Sequence, residues 1–139
     1  MNFGFIRGAC VSPELVLADC DFNAKKIIEE AKAAAGSGAK IILFPELSIT
    51  GYTCGDLFFQ KSLQNGAEKA LSSIISQTSG LDSLIFVGLP LAQGEGIYNV
   101  AAVIFKGRLL ALIAKTFLPN YGEFYERRQF TPRPVGRQD

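Results

Sequence analysis

The sequence predicts an α/β domain, or part of one, built on a mixed sheet that carries its helices on one face. Short apolar runs typical of strands alternate with segments of helical period, and the last two strand runs are separated by a two-residue turn. Of the 139 residues, 48% are hydrophobic and 19% are charged. This composition favours strands that are buried on both faces.

The first half of the chain is predicted to form a strand, a helix and a second strand. Residues 3–10 form an apolar run, and residues 40–46 form a second run that is too short and too rich in β-branched residues for a helix. Between them, residues 21–38 repeat Ala and Ile at helical spacing and end in two glycines. Asp21 is the expected cap of this helix.

The second half reads as helix, strand and hairpin. Ser62 is the expected cap of the second helix, and residues 83–90 form the third strand. Residues 98–105 and 108–117 flank Lys106-Gly107 and are expected to pair antiparallel. A βαβαβ start followed by a hairpin predicts the mixed sheet.

Composition excludes several classes of function. A formal net charge of +1 gives no electrostatic reason to expect nucleic acid or a membrane surface as a partner. No apolar run approaches the roughly 20 residues of a membrane-spanning helix, and the first residues lack the layout of a signal peptide. We therefore expect a cytoplasmic protein.

The chain contains no histidine and three cysteines. The absence of histidine excludes Ser-His-Asp and Cys-His catalysis within this chain, so a base must be a carboxylate or a lysine. Cys10, Cys20 and Cys54 lack CxxC spacing, which argues against a disulfide framework and a structural zinc site. We expect Cys10 and Cys20 to be small buried residues.

Glu46 follows the apolar run Ile41-Ile42-Leu43-Phe44 directly after Pro45. Proline fixes the direction of the chain here, at the kind of strand end where open α/β sheets place their sites. A carboxylate in this position is either a turn residue or a functional group. Lys115 similarly ends the apolar run LLALIA, where it is either a charge that protects an edge strand or a functional ammonium. We expect the two charged groups to lie within a few ångströms of each other at one end of the sheet.

Two segments carry a family resemblance. KIILFPELSITGY (40–52) and KTFLPNYGEFYERRQF (115–130) resemble the glutamate and lysine motifs of the nitrilase, or carbon–nitrogen hydrolase, superfamily. Within it, GYTCGDLF (51–58) and NYGEFYERRQF (120–130) most closely resemble the glutaminase domain of bacterial glutamine-dependent NAD synthetases. The implied fold is a nitrilase-like α-β-β-α sandwich, of which this chain supplies the first part.

The resemblance also implies roles for individual residues. In a Glu-Lys-Cys triad, Glu46 matches the general base and Lys115 matches the group that stabilises the oxyanion. Glu123 matches a second glutamate that supports the lysine and helps to orient substrate. Tyr52, Tyr121 and Phe124 match aromatic residues that line the glutamine pocket.

The cysteine nucleophile of the family has no match in this chain. It follows the lysine by some tens of residues, beyond Asp139, and Cys54 belongs to the glutamate motif. Residues 1–130 are therefore expected to be the N-terminal portion of an amidohydrolase domain, inactive alone. Residues 131–139 contain two prolines and no apolar period, and we expect a poorly ordered tail.

The resemblance implies hydrolysis of glutamine and delivery of ammonia to an ATP-dependent domain that makes NAD from nicotinic acid adenine dinucleotide. By the same resemblance, the amidase step is expected to need no metal or cofactor, and ATP and Mg are expected in the synthetase domain. The intact protein is expected to be a homo-oligomer. Two alternatives stay open: a stand-alone nitrilase-type amidase, and a non-catalytic truncated fragment.

Overall fold

The computed structural model describes residues 4–134, which form one five-stranded sheet with helices. The strands are β1 (Gly8–Cys10), β2 (Ile41–Leu43), β3 (Leu84–Gln93), β4 (Gly96–Phe105) and β5 (Arg108–Ala114). The helices are α1 (Cys20–Gly36), α2 (Lys61–Gln77) and α3 (Glu126–Gln129), and a 3₁₀ helix spans Gly55–Phe59.

The strands lie in the order β1-β2-β3-β4-β5. β1, β2 and β3 pair in parallel, whereas β4 pairs antiparallel with both β3 and β5. This is the mixed sheet predicted from the sequence. Since β2, β3 and β5 run in the same direction, their carboxyl ends point towards the same edge of the sheet.

The two long helices begin slightly before their predicted caps. α1 is capped by Asp19, whose Oδ1 accepts a hydrogen bond of 2.9 Å from the backbone N–H of Phe22, and Asp21 lies in its first turn. α2 starts at Lys61 after Gln60, which makes no side-chain cap, so the expectation of a cap at Ser62 was wrong. The cap of α1 is Asp19 and not the predicted Asp21, because the carboxylate oxygen of Asp19 reaches the first free N–H groups of the helix.

The core lies between the sheet and helices α1 and α2. Alternate residues of β3, Ile85, Val87 and Leu89, are at most 1% exposed, as expected for the strand face that packs on helices. Ile27 of α1 and Ile74 of α2 are fully buried in the same cluster. The apolar stripes predicted for the helices therefore form the core.

Large apolar side chains of β2 and β5 stay exposed. Leu43 is 48% exposed, Leu110 is 51% exposed and Ile113 is 49% exposed. Cys10, paired with Leu43 across β1 and β2, is exposed as well, so the expectation of a buried Cys10 was wrong, whereas Cys20 is buried. Cys10 sits at the end of the edge strand β1, on the face that the helices do not cover.

The described part of the predicted tail is hydrogen-bonded to the sheet region. The backbone N–H of Thr131 donates to the Ile97 carbonyl at 2.7 Å, and that of Arg133 donates to the Lys115 carbonyl at 3.1 Å. Residues 135–139 of the predicted tail lie outside the described residues. Over the described range, no helix is long and apolar enough to cross a membrane.

Candidate active site

Glu46 is placed by a close approach of its loop to β3. A Cβ atom on Gly88 would lie 2.3 Å from the Leu47 nitrogen and 2.8 Å from the Pro45 carbonyl oxygen. A side chain at position 88 would therefore collide with the loop backbone. The loop is also tied to this strand by a hydrogen bond of 3.1 Å from the Ile49 N–H to the Gly88 carbonyl. Glu46 consequently lies over the sheet.

Lys115 follows β5, and its backbone N–H donates to the carbonyl of Asn99 on β4 at 2.8 Å. Its Nζ atom lies 2.8 Å from Oε1 of Glu46 and 3.0 Å from Oε1 of Glu126. The proximity predicted for Glu46 and Lys115 is thus present. One ammonium group is held between two carboxylates that come from segments 80 positions apart in the chain.

Asn99 is a site residue that the sequence analysis missed. Its side chain is buried, and Nδ2 donates a short hydrogen bond to Oε1 of Glu46. That oxygen therefore accepts from both Asn99 and Lys115. Asparagine is depleted in strands, so an Asn inside the apolar run YNVAAVIF was a signal that could have revealed it.

Glu126 is the second missed residue. Its side chain is 5% exposed, and Oε1 accepts hydrogen bonds from Lys115 and, at 2.7 Å, from the hydroxyl of Tyr52. Oε2 is buried and has no hydrogen-bond partner within residues 4–134. Glu126 lies in the charged sequence ERRQF, which carries no local signal that its first residue is buried against Lys115 and Tyr52.

Burial and the neighbouring carboxylates shift the pKa of Lys115 in opposite directions. Burial lowers its pKa, and hydrogen bonds to Glu46 and Glu126 more than offset this, so that the pKa is raised. The pKa of Tyr52 is raised by burial first and by the hydrogen bond to Glu126 second. At neutral pH the cluster therefore holds a charged ammonium and a neutral phenol that donates to a carboxylate.

A cavity of about 500 Å³ opens beside this cluster. Glu46, Asn99 and Lys115 supply its polar groups. Apolar side chains form most of the remaining wall: Leu43, Phe44, Phe86, Val100 and Ile113. A mostly apolar cavity with a few converging polar groups is typical of a small-molecule site.

The other residues singled out from the sequence lie apart from the charged cluster. Glu123 is exposed in the turn before α3, and the hydrogen bonds of Lys115 go to Glu46 and Glu126. Tyr121 and Phe124 pack edge to face, with ring centroids 5.6 Å apart. Tyr121 is 72% exposed and lines a separate cavity of about 430 Å³. Of the three predicted aromatic residues, the structure brings Tyr52 to the cluster.

Cys54 is buried and points into its own loop. Its Sγ donates to the Thr50 carbonyl at 3.2 Å, and burial raises the pKa of the thiol. A raised pKa disfavours the thiolate form, which is the nucleophile. No group of three or more Cys, Asp or Glu side chains within the described range is arranged to hold a metal ion.

Comparison with known proteins identifies the family. The carbon-nitrogen hydrolase family model matches residues 8–138. A glutamine-dependent NAD(+) synthetase from Mycobacterium tuberculosis strain H37Rv is 38% identical over 138 residues, covering 95% of this chain and 20% of that protein. The chain thus spans about a fifth of the length of the curated relatives that it matches.

Solved structures agree with this similarity. A glutamine-dependent NAD(+) synthetase from Cytophaga hutchinsonii superposes with a TM-score of 0.89 at 30% identity, over 95% of this chain and 22% of that chain. A Nesterenkonia amidase of the nitrilase superfamily superposes with a TM-score of 0.76 at 26% identity, over 93% of this chain and 48% of that chain. Another solved form of this amidase carries a covalent adduct at its active-site cysteine. Because the family model covers most of its residues, the chain belongs to the carbon-nitrogen hydrolase family.

Proposed function

We propose that this chain forms the first part of a glutamine amidohydrolase domain that supplies ammonia to an ATP-dependent NAD synthetase. In this proposal residues 1–130 are the N-terminal portion of the domain. The observation that carries it is the Glu46–Lys115–Glu126 cluster beside a cavity of about 500 Å³. The similarity to two glutamine-dependent NAD(+) synthetases supports glutamine as the substrate.

In the proposed reaction, Glu46 accepts the proton of a cysteine thiol that this chain does not supply. The thiolate attacks the amide carbon of glutamine, and the ammonium of Lys115 stabilises the oxyanion that forms. Collapse of this intermediate breaks the carbon–nitrogen bond, and Glu46 returns its proton to the departing ammonia. Glu46 then takes a proton from the water that attacks the thioester and returns it to the departing cysteine sulfur, which releases glutamate and restores the thiol.

The lysine-supporting role expected for Glu123 fits Glu126 better, because Glu126 makes the contact of 3.0 Å with Lys115. The substrate-orienting role that the family resemblance implies for Glu123 would act from the exposed turn before α3. Asn99 holds Oε1 of Glu46 together with Lys115. This arrangement leaves Oε2 of Glu46 as the oxygen that transfers protons.

The test is ammonia release from L-glutamine by the natural gene product that contains residues 1–139. Glu46→Gln and Lys115→Met should each lower kcat at least about 100-fold, the scale of losing a general base or an oxyanion-stabilising group. Lys40→Met is the matched control, since Lys40 also makes a close ion pair, 2.7 Å from Asp82, away from the site. Wild-type turnover by Lys115→Met, as by the control Lys40→Met, would refute the proposal.

The 139-residue polypeptide alone should release no ammonia, because Cys54 is turned towards the Thr50 carbonyl. Steady release that Cys54→Ala abolishes would show that the nucleophile is within this chain.

The similarity to the Nesterenkonia amidase favours a second candidate, a stand-alone amidase. The same cluster would then act on other primary amides. Turnover of simple aliphatic amides in preference to glutamine, by a gene product without an ATP-dependent domain, would favour this function.

A further inference from the structure

The segment that supplies Glu126 is too short to hold its own position. α3 has four residues, about one turn, and a helix of this length is not stable without tertiary contacts. The preceding turn contains the exposed residues Tyr121, Glu123 and Tyr125. The position of Glu126 beside Lys115 must therefore be set by contacts with the rest of the protein.

Three of the contacts that join this segment to the loop that follows β2 involve alternate residues of the segment. The carboxylate of Glu126 accepts from Tyr52 at 2.7 Å. The ring of Phe130 packs against Phe58 with centroids 4.9 Å apart, and both rings are buried. Between these two contacts, Arg128 and Asp56 form the third.

Arg128 binds Asp56 in a two-pronged arrangement. Its Nε donates to Oδ1 at 2.9 Å, and a terminal nitrogen donates to Oδ2 at 2.8 Å. Two parallel hydrogen bonds fix both the distance and the orientation of the partners. Arg128 is two residues from Glu126, so this ion pair restricts where the Glu126 backbone can lie relative to the loop.

We propose that the Asp56–Arg128 ion pair positions Glu126 against Lys115, which makes Asp56 and Arg128 positioning residues of the site. The two side chains are 60% and 64% exposed, and neither lines the cavity beside Glu46 and Lys115. They act through Glu126 and not on substrate. The part of this inference that concerns turnover rests on the proposed function.

An exposed ion pair contributes little to global stability. A positioning role can therefore be distinguished from a general stabilising role by comparing unfolding with the Glu126–Lys115 contact. Removing the pair should leave unfolding nearly unchanged and should loosen the contact between Glu126 and Lys115. The groups that face Lys115 are Glu46 and Glu126, with the hydroxyl of Tyr52 bound to the same oxygen of Glu126. The pKa of Lys115 therefore reports on the position of Glu126.

The first arm of the test uses the natural gene product that contains residues 1–139, and it follows the Lys115 side chain by NMR titration. Asp56→Asn and Arg128→Gln should both lower the pKa of Lys115, and Arg128→Lys should have an intermediate effect because it keeps the charge without the two-pronged geometry. The swapped variant Asp56→Arg/Arg128→Asp should bring the pKa of Lys115 part of the way back to its wild-type value. Asp82→Asn is the matched control, since Asp82 is also 60% exposed and ion-paired, with Lys40 and Lys106.

The second arm measures turnover of glutamine by the natural gene product. Asp56→Asn should lower kcat by about fivefold, the largest population change that loss of an exposed ion pair supports, with KM within about twofold. Unchanged Lys115 titration in Asp56→Asn and Arg128→Lys, with unfolding like that of wild type, would overturn the inference. Absence of turnover in the wild-type protein would refute the proposed function instead and leave the titration as the deciding measurement.

Discussion

Gly88 determines where the carboxylate of Glu46 lies, although it is on the neighbouring strand and has no side chain. The loop backbone crosses β3 so closely that a Cβ atom at this position would overlap Leu47 and Pro45. The same crossing brings Glu46 within reach of Asn99 on β4 and Lys115 after β5. Absence of a side chain at one position thus allows three polar side chains to meet.

Gly88→Ala should destabilise the protein by about 1–3 kcal/mol, because the methyl group must displace backbone and not a flexible side chain. Urea unfolding measures the change. Gly36→Ala is the control: apart from its chain neighbours and the backbone of its own helix, no described atom lies within 4 Å of the added Cβ, so this variant should be neutral or slightly more stable. Equal stability of the two variants would mean that the crossing is looser than described.

The raised pKa of Lys115 predicts how the cluster responds to pH. A group whose pKa is raised in the folded state stabilises the protein at pH values below its unfolded pKa, here about 10.4. This stabilisation is lost as the pH rises through the folded pKa. Because the negative charges of the two carboxylates raise the pKa, Glu126→Gln and Glu46→Gln should each lower it.

NMR titration of the Lys115 side chain in wild type and in these two variants is the measurement. Asp82→Asn is the control, since Asp82 is ion-paired with Lys40 and Lys106 and its loss should leave the titration of Lys115 unchanged. A titration of Lys115 that neither carboxylate variant alters would contradict the contacts described for its ammonium.

At the scale of elements, two acidic residues at the amino end of α1 make different contributions to the stability of the helix. Asp19 bonds the N–H of Phe22, whereas Asp21 lies within the first turn without this bond. Asp19→Ala should therefore cost about 1 kcal/mol, the usual loss for a capping side chain. Asp21→Ala removes only a favourable charge near the helix terminus and should cost about 0.3–1 kcal/mol.

Urea unfolding of the two variants tests this order. A larger loss for Asp21→Ala would show that the cap lies where the sequence alone placed it. Asp19 and Asp21 both precede apolar residues of helical period, so the sequence pattern does not distinguish them.

Elements with a strong local period were predictable from the sequence, and the contacts that complete the site were not. α1, α2 and the hairpin of β4 and β5 follow from periodicity and turn residues. Glu46 and Lys115 were identifiable because each charge ends an apolar run. The position of α3 depends on contacts such as Arg128 with Asp56, which are 72 residues apart and leave no local pattern.

The burial of Glu126 and Asn99 could not be predicted from the sequence for the same reason. Each contacts a partner on a distant segment: Glu126 bonds Tyr52, 74 residues away, and Asn99 bonds Glu46, 53 residues away. Secondary-structure propensity carries no information about such pairs. The first strand illustrates a related effect: within the described residues 4–10 of the predicted strand, pairing with β2 extends over Gly8–Cys10.

At the scale of the whole molecule, the sheet is unevenly covered. Helices α1 and α2 bury one face, whereas Leu43 on β2 and Leu110 and Ile113 on β5 are about half exposed. β5 is an edge strand of the described sheet, and an apolar edge strand is a template for association. The Nesterenkonia amidase, which this chain covers by 48%, is about twice as long.

The exposed apolar side chains predict how the 139-residue polypeptide behaves in isolation. Contiguous apolar surface beyond a few hundred Å² is rare on soluble monomers and promotes association. We therefore expect the 15.0 kDa chain to sediment as oligomers or aggregates and to bind a hydrophobic dye. Ile113→Lys, on β5, should shift the distribution towards monomer and reduce dye binding. Val16→Lys is the control, since Val16 is 43% exposed outside the sheet and should leave both unchanged. Sedimentation velocity at several concentrations gives the answer: a stable wild-type monomer that unfolds cooperatively without binding the dye would mean that the exposed strands need no cover.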